Sequence, residues 1–322
     1  MSVIDSVSAG FRFLGKRVEL LLIPVILDLF LWLSPRLSIA PLIQGFEQEL
    51  LRSASTPDMP PDFLALMQQA VHELDVMTNG VNLSSALVNQ SLLHVPSLMA
   101  ALPIGGATQA VRSISSAGVF TLSLIGLTVV GMWIGALYLN TLARHLPLGE
   151  GDKTLSVREF IGVVFQHWLW LLLFVLGLGV ALLLLSIPIV AVILIMMAIS
   201  PTLASGAMTL ASGMTLALMF YMYFVVAGLI LDNLTLSAAV WRSVLLVRYN
   251  FWATLGFIGV TFLISVGFIQ VWLVLVDYMA NPVVLLLAVL GNAYIGTGLA
   301  MSLLVFYRTR LLSTADQLKP AA

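Results

Sequence analysis

The sequence predicts an all-α integral membrane protein: a six-helix transmembrane bundle with an outer helical cap and a cytoplasmic amphipathic elbow helix. Three observations predict it. Of 322 residues, 60% are hydrophobic and 9% charged, whereas soluble domains carry about 25% charged residues. The apolar residues gather into runs long enough to cross hydrocarbon. The lysines and arginines, finally, collect at alternate ends of those runs. A chain this poor in charge has no means of covering its surface in water, so a lipid bilayer is its expected solvent. The net charge of −1 gives no basic excess to attract nucleic acid. The lack of cysteine excludes disulfides, thiolate metal sites, iron–sulfur clusters and a cysteine nucleophile.

A helix needs about 20 apolar residues to cross roughly 30 Å of hydrocarbon. The runs at 18–33, 118–141, 168–199, 206–231, 251–278 and 283–307 supply six candidates. The first follows Arg12, Lys16 and Arg17, and the "SIA" at 38–40 resembles a cleavage site. Asp28 interrupts its apolar region and Pro41 follows the would-be cut, so it reads as a retained span with a kink at Pro24. The third run exceeds one upright crossing and contains Ser186 and Pro188, which predicts a kinked span.

Orientation follows from the basic residues in the loops. With the N-terminus cytoplasmic, eleven of the fourteen lysines and arginines lie inside, and Arg36, Arg52 and Arg112 lie outside. Splitting 168–199 into two crossings would send Arg242, Arg248, Arg308, Arg310 and Lys319 outward. Charge therefore selects six spans with both termini inside, in a bacterial cytoplasmic (inner) membrane. Residues 1–33 are then an N-terminal segment and first span, 34–117 an extracytoplasmic helical insert, and 118–322 a five-span bundle with cytoplasmic loops at 142–167 and 232–250.

In the insert, "PPDFLALMQQAVHELDVMTNG" reads as one helix. Asp58 suits its cap, Pro60 and Pro61 its first turn, and Gly80 its end. Phe63, Met67, Ala70, Leu74 and Met77 share one face. Further helices are expected at 41–54 and 84–94, before Pro96, Pro103 and Gly105-Gly106 break the chain.

The second cytoplasmic loop contains "DNLTLSAAVWRSVLLVRYNFW", residues 232–252. Asp232, Asn233, Thr235 or Ser237 is placed to cap a helix start. Trp241, Leu245 and Trp252 are expected to dip into the interface while Arg242 and Arg248 reach headgroup phosphates or water. This is an elbow that anchors the next span, or one that recognises a lipid or a partner.

The run "LILDNLTLSAAVWRSVLLVRYNFW" resembles bacterial multi-pass proteins such as the membrane domain joined to some glycerophosphodiester phosphodiesterases. In those proteins an acidic residue ends a span, an amphipathic helix with "A..RS" follows, and "NFW" opens the next span. Asp232, Ala239, Arg242, Ser243, Asn250, Phe251 and Trp252 match that pattern. The resemblance covers spans four to six and implies a structural motif. It does not imply phosphodiesterase activity, because no soluble catalytic domain accompanies it.

Ionisable groups inside a membrane mark pathways for ions or substrates. Here Asp28, Asp232 and Asp277 sit near span ends. Gln270 and Asn292 fall at similar depth on spans five and six, so their amides are expected to hydrogen-bond. A polar cavity would form beside Asp28, Gln270, Asp277, Asn292 and Tyr294. Gly131 and Gly135 on span two, and Ser205, Thr209, Gly213 and Ala217 on span four, form small-residue stripes expected to serve as helix-packing faces. No histidine has a zinc partner four residues away, and no nucleophile–base motif is visible. "GNAYIGTG" at 291–298 lies inside a span with no preceding strand, which excludes a phosphate loop.

No catalytic, cofactor-binding or metal residue is expected. The leading expectation is a non-enzymatic accessory or scaffold subunit that meets a protein partner through the outer insert or the elbow. The alternative is a transporter or lipid-handling permease with a polar cavity near the outer leaflet. An intramembrane enzyme ranks last.

Overall fold

A computed structural model describes residues 2–54, 69, 71, 82–88, 95–102, 110–146, 156–279 and 281–318. Its helices are α1 (Val3–Leu14), α2 (Leu22–Leu33), α3 (Ala40–Ala54), α4 (Ala117–Arg144), α5 (Val157–Ile199), α6 (Pro201–Tyr221), α7 (Val225–Asp232), α8 (Leu236–Tyr249), α9 (Phe251–Met279) and α10 (Pro282–Leu318). Two three-residue strands, β1 (Arg36–Ser38) and β2 (Val111–Ser113), pair in parallel, with Leu37 opposite Arg112.

Five helices among the described residues are long and apolar enough to cross a membrane: α4, α5, α6 with α7, α9, and α10 as far as Thr314. The shortest has 28 residues, about 42 Å at the usual helical rise. The protein is therefore all-α in character and built for a bilayer. The expected first span at 18–33 differs. It divides into a 3₁₀ turn, Val18–Leu21, and the 12-residue α2, about 18 Å long. Pro24 lies in the first turn of α2. Proline lacks an N–H, so it suits a helix start. It marks where α2 begins rather than a kink within a longer helix.

Most of the expected insert helix at 58–80 lies outside the described residues, as do 89–94 of the expected third helix. Leu83–Leu87 forms a 3₁₀ turn. The strand pair was not anticipated, since three residues are too few to display a period-two pattern. Asn82 supports the pair, because its Oδ1 accepts from the backbone N–H groups of Leu37 and Ser84, both at 3.1 Å.

The chain divides into two compact units. The first holds Met1–Arg17, Ala136–Ile264 and Gly298–Ala322. Its core stacks Phe257 on Phe306, with ring centres 4.3 Å apart, and Phe306 on Phe224 at 6.0 Å. The α1 helix begins with a capping box in which Asp5 accepts from the Ser2 N–H. That backbone bond and the Ser2 hydroxyl hold the Asp5 carboxyl below its ordinary pKa. α1 packs on α10, where the Ser302 hydroxyl donates to the Val7 carbonyl at 3.1 Å. The contact is so close that a Cβ on Gly10 would lie 2.5 Å from the Ser302 backbone nitrogen.

α5 runs unbroken for 43 residues through Pro188. It turns back at Ser200–Pro201 and packs along α6. Beyond Phe174 the residues of α5 are exposed or half-buried. The less exposed positions of α6 are Ala204, Ala207, Ala211 and its last turn, Leu218 to Tyr221. The stripe expected to pack, Ser205–Thr209–Gly213–Ala217, is exposed throughout. It lies one to two residues further along, about 100–200° around the helix. Small residues alone show that a stripe exists, and the partner helix chooses which one is covered. The hydroxyls of Ser205, Thr209, Ser212 and Thr215 donate to their own helix carbonyls at 2.9–3.1 Å. An exposed hydroxyl facing lipid has no other acceptor to meet.

The second unit holds Val18–Gly135 and Ser265–Thr297. Leu98, Ala288 and Val289 form its buried cluster, with Val25, Trp272 and Val276 packed against it. Gly131 is buried against the backbone of Leu87, where a Cβ would lie 2.4 Å from the carbonyl oxygen. Its neighbour is thus a turn of the insert rather than a long helix. Gly135 is also buried.

Candidate functional site

The polar residues of the first unit converge on two consecutive positions, Asp232 and Asn233. α7 ends at Asp232 because Asn233 turns left-handed, with φ 49°, a conformation asparagine tolerates better than most residues. The turn points the two side chains at different helices. The Asp232 carboxylate accepts from Arg242 Nη1 at 2.6 Å and from the Tyr307 hydroxyl at 2.6 Å, both on Oδ2. Its Oδ1 accepts from Arg308 Nη1 at 3.2 Å. Asp232 thus joins α7 to α8 and α10. It was one of four residues expected to cap the elbow helix. Thr235, another of the four, takes the cap position and makes no side-chain cap bond, while Asp232 is spent on longer-range ties.

Asn233 joins the other side. His167 on α5 lies between Asn140 Oδ1, 2.8 Å from its Nδ1, and Asn233 Oδ1, 2.9 Å from its Nε2. Asn140 is held in that orientation, since its Nδ2 donates to the Ala136 carbonyl at 2.8 Å. The His167 Nδ1–H therefore donates to Asn140. An imidazolium donates to Asn233 as well, and a neutral ring instead needs the Asn233 amide turned so that its Nδ2 donates. Residues 232 and 233 together connect α4, α5, α7, α8 and α10.

Ser243 explains the break between α6 and α7. Its hydroxyl donates to the Tyr221 carbonyl at 2.7 Å and accepts from the Phe224 N–H at 3.0 Å. Helix ends leave such groups without intrahelical partners, and one side chain from α8 satisfies both. Ala239 is buried where α8 approaches Gly228. Asn250 donates to the Leu246 carbonyl and to Thr314 Oγ1 on α10, at 3.1 and 3.0 Å. Phe251 packs edge-on to Phe220 at 5.2 Å.

Arg242 therefore pairs with Asp232, where the sequence suggested headgroups or water. Burial opposes its charge, but Tyr307 and Asp232 outweigh that and hold its pKa above the ordinary arginine value. Arg248 is exposed. Trp241 and Trp252 are 66% and 79% exposed. Sequence reasoning missed Tyr307, Arg308, His167 and Asn140 as partners. Their signal was equal depth, because each lies near an inner span end on the same charge-derived side as Asp232.

The five residues expected around an outer cavity differ in exposure and bonding. Asp28 is fully buried. It accepts from the Ser97 hydroxyl and from the backbone N–H groups of Leu98 and Met99 at 3.0 and 3.1 Å. Asn292 is buried, Tyr294 is half-buried, and Gln270 and Asp277 are exposed. Gln270 and Asn292 share no hydrogen bond. Counting along α9 gives depth but not phase. Trp272 is the residue laid against Gly291 of α10, and Gln270, two positions earlier, points about 200° away. A cavity of about 450 Å³ in this unit is lined by Leu37, Arg112, Ile114, Ser116, Val119 and Ser123 among others, and none of the five contributes to it.

Among the described residues no group of three or more histidine, cysteine or acidic side chains is placed to hold a metal ion. Compared with models of protein families, with curated proteins and with solved structures, the chain matches none.

Proposed function

We propose that this chain is a non-enzymatic scaffold or accessory subunit of a bacterial cytoplasmic membrane assembly. One observation carries the reading: the polar side chains around Asp232 and Asn233 are bonded to other helices and to helix ends. Asp232, Asn233, His167, Arg242 and Ser243 each bond a different helix. A transporter or an enzyme keeps such groups aimed at a substrate path. These instead fasten helix ends, and the exposed surface of α5 beyond Phe174 and of α6 is mostly apolar. The partner meets the outer insert, the elbow α8 or the exposed legs of α5 and α6.

The reading includes six crossings with both termini cytoplasmic. Met1–Arg17 and Gly298–Ala322 belong to one unit, and Val7 bonds Ser302, which favours an even number of crossings. Five long helices make an odd number, so 18–33 supplies a short sixth. A short span thins the bilayer locally rather than tilting.

The cysteine-free chain makes the test direct. Single cysteines at Ser2, Gly45, Arg248 and Ser313 are labelled in intact cells with a membrane-impermeant maleimide. Labelling of Gly45→Cys alone is expected. Opposite accessibility at Ser2 and Ser313 would overturn the six-span arrangement. Purification in mild detergent is expected to recover a partner in fixed stoichiometry. The permease alternative instead requires water-accessible cysteines in a continuous path through α9 and α10.

A further inference from the structure

We propose that Arg242 and Arg308 form a phosphate-binding clip whose ligand is the phosphodiester of an anionic lipid headgroup. The clip rests on side-chain geometry in the first unit and does not require the scaffold reading. Asp232 holds each guanidinium through one nitrogen, Nη1, at 2.6 and 3.2 Å. A guanidinium has five N–H donors in a rigid fork. No other carboxylate contacts either arginine among the described residues. The two side chains are 35% and 33% exposed, while that of Asp232 is 11% exposed. Both arginines are therefore partly open to their surroundings, while the carboxylate that holds them is covered.

The charge does not balance. Two guanidiniums share one carboxylate, which leaves one positive charge over. A phosphodiester carries one negative charge and offers acceptors for forked N–H donors. The arginines are already held in place by Asp232, so less side-chain freedom is lost when the ligand arrives. Trp241 immediately precedes Arg242 on α8, and Trp252 opens α9, both strongly exposed. Exposed tryptophans at the ends of spans sit at headgroup level. This setting favours a lipid phosphate over a dissolved one.

The test uses the full chain in phosphatidylcholine nanodiscs, with phosphatidylglycerol replacing part of that lipid. The unfolding midpoint is followed by tryptophan fluorescence. It is expected to rise with phosphatidylglycerol, and Arg308→Gln is expected to need about fivefold more for the same rise. Arg248→Gln removes an exposed arginine of α8 outside the clip and should keep the wild-type titration. An unchanged titration in Arg308→Gln, or an equal weakening in Arg248→Gln, overturns the clip. Because Arg308→Gln also lowers stability, native mass spectrometry gives a second readout: the variant should retain one fewer phosphatidylglycerol than wild type, and equal retention counts against the proposal. Inorganic phosphate added to all-phosphatidylcholine discs is expected to change nothing. A rise with phosphate and none with phosphatidylglycerol would reject the lipid as ligand.

Discussion

Asp28 and Asp232 are both covered aspartates on helices of an apolar chain, and their surroundings differ in kind. Asp28 accepts only from neutral groups, a serine hydroxyl and two backbone N–H groups of one loop. Asp232 accepts from two guanidiniums and a phenol on two other helices. The first arrangement fastens a loop and leaves its donors with nowhere else to turn. The second fastens helices through long side chains that are one-third exposed, so water and headgroups soften the loss of any one bond. Neutral donors are therefore the stiffer clamp here, and the charged knot is the one with charge to spare.

Substitutions rank that difference. Asp28→Ala should cost most, about 4 kcal/mol, because the buried Leu98 N–H, the half-buried Met99 N–H and the Ser97 hydroxyl lose their acceptor together. Urea or thermal unfolding in detergent measures it. Asp232→Ala should cost about 2 kcal/mol, below the usual range for breaking a buried pair because the arginines are partly solvated. If Asp232→Ala proves the more damaging of the two, the comparison fails. Next comes Ala211→Leu, at about 1–2 kcal/mol, since it overfills the face α6 turns to α5. Gly213→Leu, two positions away with nothing within 4 Å of its Cβ, should fall within about 0.5 kcal/mol. Equal effects would mean that the covered stripe is misassigned. Tyr307→Phe should lose about 1 kcal/mol, the worth of one net hydrogen bond. It leaves both arginines on Asp232, so the phosphatidylglycerol titration of Tyr307→Phe should match wild type.

The sequence pattern made some of this legible. The long apolar runs became α4, α5, α6 with α7, α9 and α10 because length and composition are sufficient for a helix in lipid. The elbow helix was visible through its mixed apolar and charged faces, and it spans Leu236–Tyr249. The partners within it were not visible. Arg242 looks the same in sequence whether it meets a headgroup or Asp232. Gln270 and Asn292 matched in depth and differed in rotation. Ser205 and Ala204 are adjacent small residues, and only the contact with α5 distinguishes them.

Two things were settled by composition and periodicity alone: hydrocarbon as solvent, and the apolar runs that become helices. Both follow from local chemistry, since a backbone in lipid satisfies its own polar groups residue by residue. Tertiary structure decided which face each helix covers, that 18–33 starts its α-helix only at Leu22, and that Asp232 and Asn233 face different helices. Those outcomes depend on rotation about helix axes and on one left-handed residue, and neither leaves a mark on hydrophobic spacing.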